Sequence, residues 1–422
     1  MNERTSRRAF LAAFGTGTIG AIAGCAVEPP SARSKPLIDE DGLPPAELAE
    51  TQFRGGLGRR GVVPDATVPE SPDVEWTLRN VNEGDHTAAK ASPVETPGGD
   101  VVVPGDTGEV RRVTPGGEVR WTASVEETKR GIHGTPAIAN GVVYVGAYDG
   151  ALYAFDLDTG ERFWRRKLGD AIGSSPGYHE GVVYIAVEYY DPSGAMFGVD
   201  AATGAVTWED DRPTDHPHST CAIDRDAGRL VVGSNDGDLY AWTYPDLEFA
   251  WSFSTGRPIK GPVATHDGSA FFGSWDRHVY RVDLADGSEE WAVETGGSVM
   301  SGPAVEAATG TVYVGSHDSH CYALAAATGE ERWRFDTGGR ITSCPTVTAD
   351  HVLFGSYDGH CYALEKESGE ETWRVAGVGE VTGTPLVADG AVYFTDRASS
   401  ASLEGGDGKT GGLYKVAAAG GE

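Results

Sequence analysis

PTVTADHVLFGSYDGHCYALEKESGEETW, residues Pro345 to Trp373, is the stretch whose reading decides the fold. An apolar strand follows Pro345, a turn falls at Ala349-Asp350, and a second strand reads HVLFGS. Tyr357-Asp358-Gly359 turns the chain into a third strand, HCYAL, and Ser368-Gly369-Glu370 turns it into a fourth that ends at Trp373. Asp-Gly and x-Gly pairs tolerate positive φ and close tight hairpins between short alternating strands, so the unit is a four-stranded antiparallel meander. The Asp-Gly pair predicts a type I′ turn between the second and third strands.

Working outward, the unit recurs. Trp76, Trp121, Trp164, Trp208, Trp251, Trp291, Trp333 and Trp373 are spaced 40 to 45 residues apart, and six of them follow a glycine by four residues: Gly117, Gly160, Gly204, Gly287, Gly329 and Gly369. Prolines mark the entry of the first strand at 93, 136, 176, 262, 303, 345 and 385, with Cys221 near that place in the fourth unit. A repeat of this period with four short strands per unit is the mark of propeller blades, each burying its faces against its neighbours. The last unit, Val381 to Val416, lacks a closing Trp, while DVEWTLR, Asp73 to Arg79, is a strand with a Trp and nothing before it. The two fragments complement each other. The expected fold is all-β, an eight-bladed propeller whose ring is closed non-covalently by the N-terminal strand, which leaves no open edge.

The net charge of −29 over 422 residues, with only eight lysines, covers the surface with carboxylate. Nucleic-acid footprints are basic, so the charge argues against phosphate-backbone binding, and no nucleic-acid partner is expected. Such self-repulsion suits a solvent rich in counterions, and the composition resembles that of haloarchaeal, halophilic proteins. Residues 1–25 read as an export signal: Arg7-Arg8 precede a short, weakly apolar segment that ends in Gly24-Cys25 and is too short and Gly-rich for a membrane span. The small residues before Cys25 resemble a lipobox, which implies a lipid-anchored chain on the outer face of the cytoplasmic membrane, with an ordinary cleaved signal as the alternative. Residues 26–71 are rich in Pro, Gly and charge without a sustained period and read as a flexible linker. Its reach would be roughly 35–40 Å. Within it, Phe53 to Gly61 (FRGGLGRRG) is locally basic and reads as solvated linker, with lipid head groups or a partner as the functional alternative. The propeller is assigned to 72–417 and a tail to 418–422.

In a meander blade the turns between second and third strands share one face with the links between blades. That face carries Tyr148-Asp149, Asn235-Asp236, Trp275-Asp276, His317-Asp318 and Tyr357-Asp358, joined by His133, His216, His218, Arg257, Lys260, Arg340 and Thr342 from the links. It forms an aromatic, His-containing and acidic rim where a ligand or partner would find side chains. The plainer reading of each Asp is turn chemistry. His216-Pro217-His218 has two potential ligands but no identifiable third, so no metal site is expected there, and the link is expected to be exposed. His317, His320 and His360 read as surface or inter-blade residues. Cys321 and Cys361 fall where other units have Leu152, Leu239, Val279 and Leu413, a buried apolar position. The redox state of Cys221, Cys321, Cys344 and Cys361 stays open.

AYDGALYAFDLDTGERFW (147–164), SHDSHCYALAAATGEERW (316–333) and SYDGHCYALEKESGEETW (356–373) resemble the tryptophan-docking repeats of the pyrroloquinoline-quinone (PQQ) propeller family. The resemblance spans roughly 72 to 416. The family includes quinoprotein dehydrogenases and a propeller lipoprotein of outer-membrane assembly, so it implies the fold and leaves function open. Its enzymes commonly use adjacent cysteines, a calcium or lanthanide site and a catalytic Asp on long insertions. Here no cysteines are adjacent, and the two longer departures, Glu188 to Ala195 and Ala398 to Thr410, supply no clustered ligands. The expectation is a binding scaffold for a membrane-associated protein or a small ligand, with no catalytic residue, metal or cofactor assigned. The rivals are a dehydrogenase of alcohols or sugars using PQQ with Ca²⁺, and an accessory subunit of a membrane enzyme.

Overall fold

The chain alternates β-branched and aromatic residues with Gly- and Asp-bearing turns, and the described part folds into 32 strands, β1 to β32 in chain order, forming eight four-stranded antiparallel sheets. The structure is a computed structural model and describes residues 51–83, 91–397 and 410–419. Seven blades run in chain order from Val94–Ser124 to Thr346–Ala376. The eighth has the strand order β1-β32-β31-β30, with β1 (Pro72–Asn82) paired antiparallel to β32 (Gly411–Ala418), so the N-terminal strand closes the ring as expected. The export segment around Arg7, Arg8 and Cys25, the first part of the linker and the 398–409 loop lie outside the described residues.

The tryptophans lock each blade to the next. Trp333 Nε1 donates to Lys366 O across the blade boundary at 3.0 Å, and Trp121, Trp164, Trp251 and Trp291 repeat the contact with Leu157, Ala201, Leu284 and Ala326. The glycine four residues before a Trp belongs to the neighbouring docking site. A Cβ on Gly369 would lie 2.6 Å from Trp333 Cδ2, and its φ of +74° is itself a conformation that favours glycine. The fourth unit lacks that glycine, and its Trp242 meets Trp208 edge-on at 5.6 Å. Cys321 and Cys361 are buried, free thiols paired in register with Gly315 and Gly355, as their repeat position predicts. Cys221 and Cys344 are likewise free and buried.

The linker assignment needs correction. Residues 51–66 run round the inner wall of the ring and bond the inner strands of blades two to seven in order. Thr51 pairs with Ile138, and the Gln52 amide brackets Tyr178. Leu57, Gly58, Arg60 and Gly61 then offer carbonyls to the N–H groups of Ile223, Thr265, Val305 and Val347. Innermost strands have an unpaired backbone edge facing the channel, and buried unpaired groups are costly, so the segment serves as the missing partner. Gly55, Gly56 and Gly61, all at positive φ, let the chain curl. The basic residues hold it. Arg59, 1% exposed, donates to Cys221 O, Phe53 O and Pro176 O, while Arg54 donates to Arg59 O, Pro345 O and Pro303 O. These guanidinium groups are therefore internal rather than solvated. Trp373 completes the path by donating to Pro69 O at 2.8 Å.

Candidate functional site at the axial mouth

The turns between second and third strands do lie beside the inter-blade links. Tyr148 N–H bonds Gly131 O, Trp275 bonds Pro258 O, Tyr357 bonds Arg340 O, and the same bond recurs in Glu188, Asn235, His317 and Arg397. These seven residues thus occupy one structural position whose side chain differs in every blade except that tyrosine appears twice. Two residues beyond each bonded link carbonyl stands a second series that includes His133, His218, Lys260, Met300 and Thr342.

The turns themselves differ from the type I′ expectation. Only the third loop residue is left-handed: Gly359 at φ +89°, with Arg277 at +76° and Ser319 at +74° in the equivalent places. Gly359 N–H bonds Ser356 O, and Ser356 N–H bonds His360 O, the pattern of a three-residue loop with a bulge. The aspartates hold these loops together. Asp358 accepts from Gly338 N–H and Tyr362 Oη through one oxygen and from His360 N–H through the other. Asp236, Asp276 and Asp318 are bonded in the same way to Tyr240, Tyr280 and Tyr322, and Asp149 adds Arg165 to Tyr153. Burial acts to raise the Asp318 and Asp358 carboxyls, but the tyrosine and backbone donors outweigh it and hold both below the usual range. Burial and the Asp318 carboxylate push Tyr322 up to about 12. These carboxylates act within the blade; they are not a free acidic rim.

The remaining side chains group in pairs around the mouth. His133, 3% exposed, packs against Tyr148 with ring centroids 4.3 Å apart and the planes tilted by 54°. His218 Nδ1 lies 2.7 Å from Glu188 Oε1, and a Cβ on Gly173 would fall within 2.5 Å of that imidazole. His218 is therefore packed inside rather than in an exposed link, while His216 turns its Nε2 to Tyr189 O at 2.7 Å, so the two histidines have separate partners. Burial acts to raise the Glu188 carboxyl, yet His218, His216 and Lys260 together hold it low. Lys260 packs over the Trp275 ring at 4.2 Å, and burial lowers its ammonium, against the pull of Glu188 and Asp215. Tyr357 has two guanidiniums near its ring, Arg340 at 4.3 Å and Arg397 at 5.0 Å. His320 and His360 sit beside Asp318 and Asp358 at 3.4 and 3.3 Å. Glu188, Arg397 and Tyr190, which is 86% exposed in the loop after Glu188, were not singled out from sequence. Aligning Glu188 to Tyr148 through strand register would have found the first.

Between these pairs lies an axial well, partly open to solvent, with Phe53 of the inner segment among its lining and Thr135, Ser175, Thr220, Thr342 and Thr384 in its wall. Among the described residues, no group of three His, Cys, Asp or Glu side chains is placed to hold a metal ion.

An eight-bladed ring of Trp-docked blades with a variable mouth defines a PQQ-like β-propeller. The chain belongs to the family described as outer membrane protein assembly factor BamB, whose sequence model matches residues 106–223, 220–334 and 317–414. It is 27% identical over 185 residues to the outer membrane protein assembly factor BamB of Moranella endobia (strain PCIT), covering 42% of this chain and 44% of that protein. It is 28% identical over 133 residues to the 1-butanol dehydrogenase (cytochrome c) of Thauera butanivorans, covering 28% of this chain and 18% of that one. Both matches thus span less than half the relative's length. A europium-containing methanol dehydrogenase shares the fold, with TM-score 0.72 and 13% identity over 86% of this chain and 97% of that one.

Proposed function

We propose that the protein is an exported, lipid-anchored propeller that acts as a binding scaffold at the outer cell surface, taking a membrane-associated protein or a small ligand on its link face. The carrying observation is that its own residues 51–66 bond the inner strands of blades two to seven and so occupy the inner wall, which leaves the variable side chains of the link face as the surface offered to a partner. Tyr190, standing 86% exposed beside the mouth, and Arg340, stacked on Tyr357, supply the aromatic and arginine groups that anchor protein contacts. The family's description as an outer-membrane assembly factor supports a protein partner. No helix among the described residues is long and apolar enough to cross a membrane, which is compatible with anchoring through Cys25.

The likeness to 1-butanol dehydrogenase keeps a PQQ-dependent oxidoreductase as the rival. The residues here fit that group poorly: the four described thiols are not adjacent in sequence, the turn carboxylates already have donors, and Phe53 lies in the well. No chemical step is assigned. Affinity purification at native salt separates the readings. A scaffold co-purifies with one membrane partner, and Tyr190→Ala reduces its yield. Bound chromophore and dye-linked oxidation of alcohols or sugars after loading with PQQ and Ca²⁺ would instead establish the enzyme. Cys25→Ser should release the protein from the membrane; unchanged association contradicts the anchor.

A further inference from the structure

The wall of the axial well contains hydroxyls whose protons find no acceptor among the described residues. Thr135 accepts the backbone N–H of Ser92, Ser175 that of Thr135, Thr220 that of Ser175, and Thr384 that of Cys344, at 3.0, 2.9, 3.1 and 3.3 Å. Each oxygen thus serves as an acceptor in a belt joining neighbouring blades, and its O–H is the donor left over. Among the described residues nothing accepts it. Thr342 goes further: it is 4% exposed, and its Oγ1 has no hydrogen-bond partner of either kind among the described residues. All five residues line the same well.

Buried cationic side chains lie close to the well. Arg54 and Arg59 are buried beside Phe53, and their six N–H bonds go to backbone carbonyls, so no carboxylate neutralises either group among the described residues. His133 is in the wall, and Lys260 stands two residues before Pro262 of the lining. The carboxylates of Glu188 and Glu380 at the mouth have cationic or imidazole partners, His218 at 2.7 Å and Arg397 at 3.5 Å. In a chain of net charge −29, the hydroxyl donors of the wall thus lie beside two buried guanidinium groups that have no carboxylate partner among the described residues.

We propose that the axial well binds a tetrahedral oxoanion, phosphate or sulfate, either free or as a monoester. A cation would lie near the buried charges of Arg54 and Arg59, which no carboxylate among the described residues offsets. A tetrahedral oxoanion instead offers acceptor oxygens in several directions, which suits donors arriving from separate blades around one axis. The inference stands on the well and does not depend on the scaffold reading.

The test is a ³¹P NMR titration of the full exported chain with inorganic phosphate and, separately, glycerol phosphate, at constant ionic strength. Saturable binding of either is expected; tighter binding of the ester identifies a phosphorylated ligand, and tighter binding of phosphate a free ion. Thr342→Val is nearly isosteric and removes no intramolecular hydrogen bond, so the fold is retained. It should weaken binding about ten- to a hundredfold, the loss of one hydrogen bond to a charged group. Absence of saturation with both probes, or a Thr342→Val affinity equal to wild type, overturns the assignment.

Discussion

Replacing Arg59 by methionine isolates what the inner segment contributes. The guanidinium donates to three carbonyls, Phe53 O at 2.9 Å, Cys221 O at 3.1 Å and Pro176 O at 3.2 Å, and so ties the segment to the third and fourth blades. Each bond from a charged donor is worth about 1.5–3 kcal/mol, which gives a gross loss of about 5–9 kcal/mol. Against this, methionine no longer requires a cation to be stripped of water, a relief of several kcal/mol, and burial accordingly lowers the arginine's proton affinity. The net destabilisation should be about 2–4 kcal/mol, more for alanine because a cavity is added. Urea unfolding followed by tryptophan fluorescence reads this as a midpoint lowered by about 1 M, taking a slope of about 3 kcal/mol/M. An Arg59→Met midpoint equal to wild type would refute the reasoning, because a solvated linker arginine contributes nothing of this kind.

Further outcomes follow from the blades. Gly369→Ala places a Cβ 2.6 Å from Trp333 Cδ2 in a left-handed residue and should cost about 2–4 kcal/mol by the same unfolding assay. Asp318 and Asp358 are held below the usual carboxylate range in the folded state. Their contribution is therefore complete above the unfolded value near pH 4 and is lost as pH falls through the folded values. Acid unfolding at fixed salt should steepen below about pH 4, and Asp318→Asn with Asp358→Asn should flatten that limb. Lys260→Met keeps the contact with Trp275 while removing the charge; Trp275 emission should change little, whereas Lys260→Ala exposes the ring and should shift it to the red.

The propeller was legible because its determinants are local and repeated. A glycine at positive φ, a tryptophan four residues on and an Asp-Gly turn recur at one spacing, and the odd strand around Trp76 had only one incomplete sheet to join. The inner segment was not legible, since its partners are backbone edges of six distant strands and no periodicity marks such pairing. Its signal was compositional: FRGGLGRRG is a glycine-rich basic run in an acidic chain, and it reads equally well as linker. The rim was half legible. Position on the link face followed from meander geometry, but whether Asp276 or His218 is free depends on partners such as Tyr280 and Glu188 that only the folded register brings close.

Limited trypsin digestion with mass mapping tests the central claim, that residues 51–66 form an internal part of the ring, most directly. Arg54, Arg59 and Arg60 are three potential cleavage sites within seven residues. The structure, with Arg54 and Arg59 buried and bonded and Arg60 exposed, predicts that native protein resists cutting after Arg54 and Arg59 while a urea-unfolded sample is cut readily. Rapid cleavage after Arg54 or Arg59 in native buffer, with the blades still folded, would contradict it.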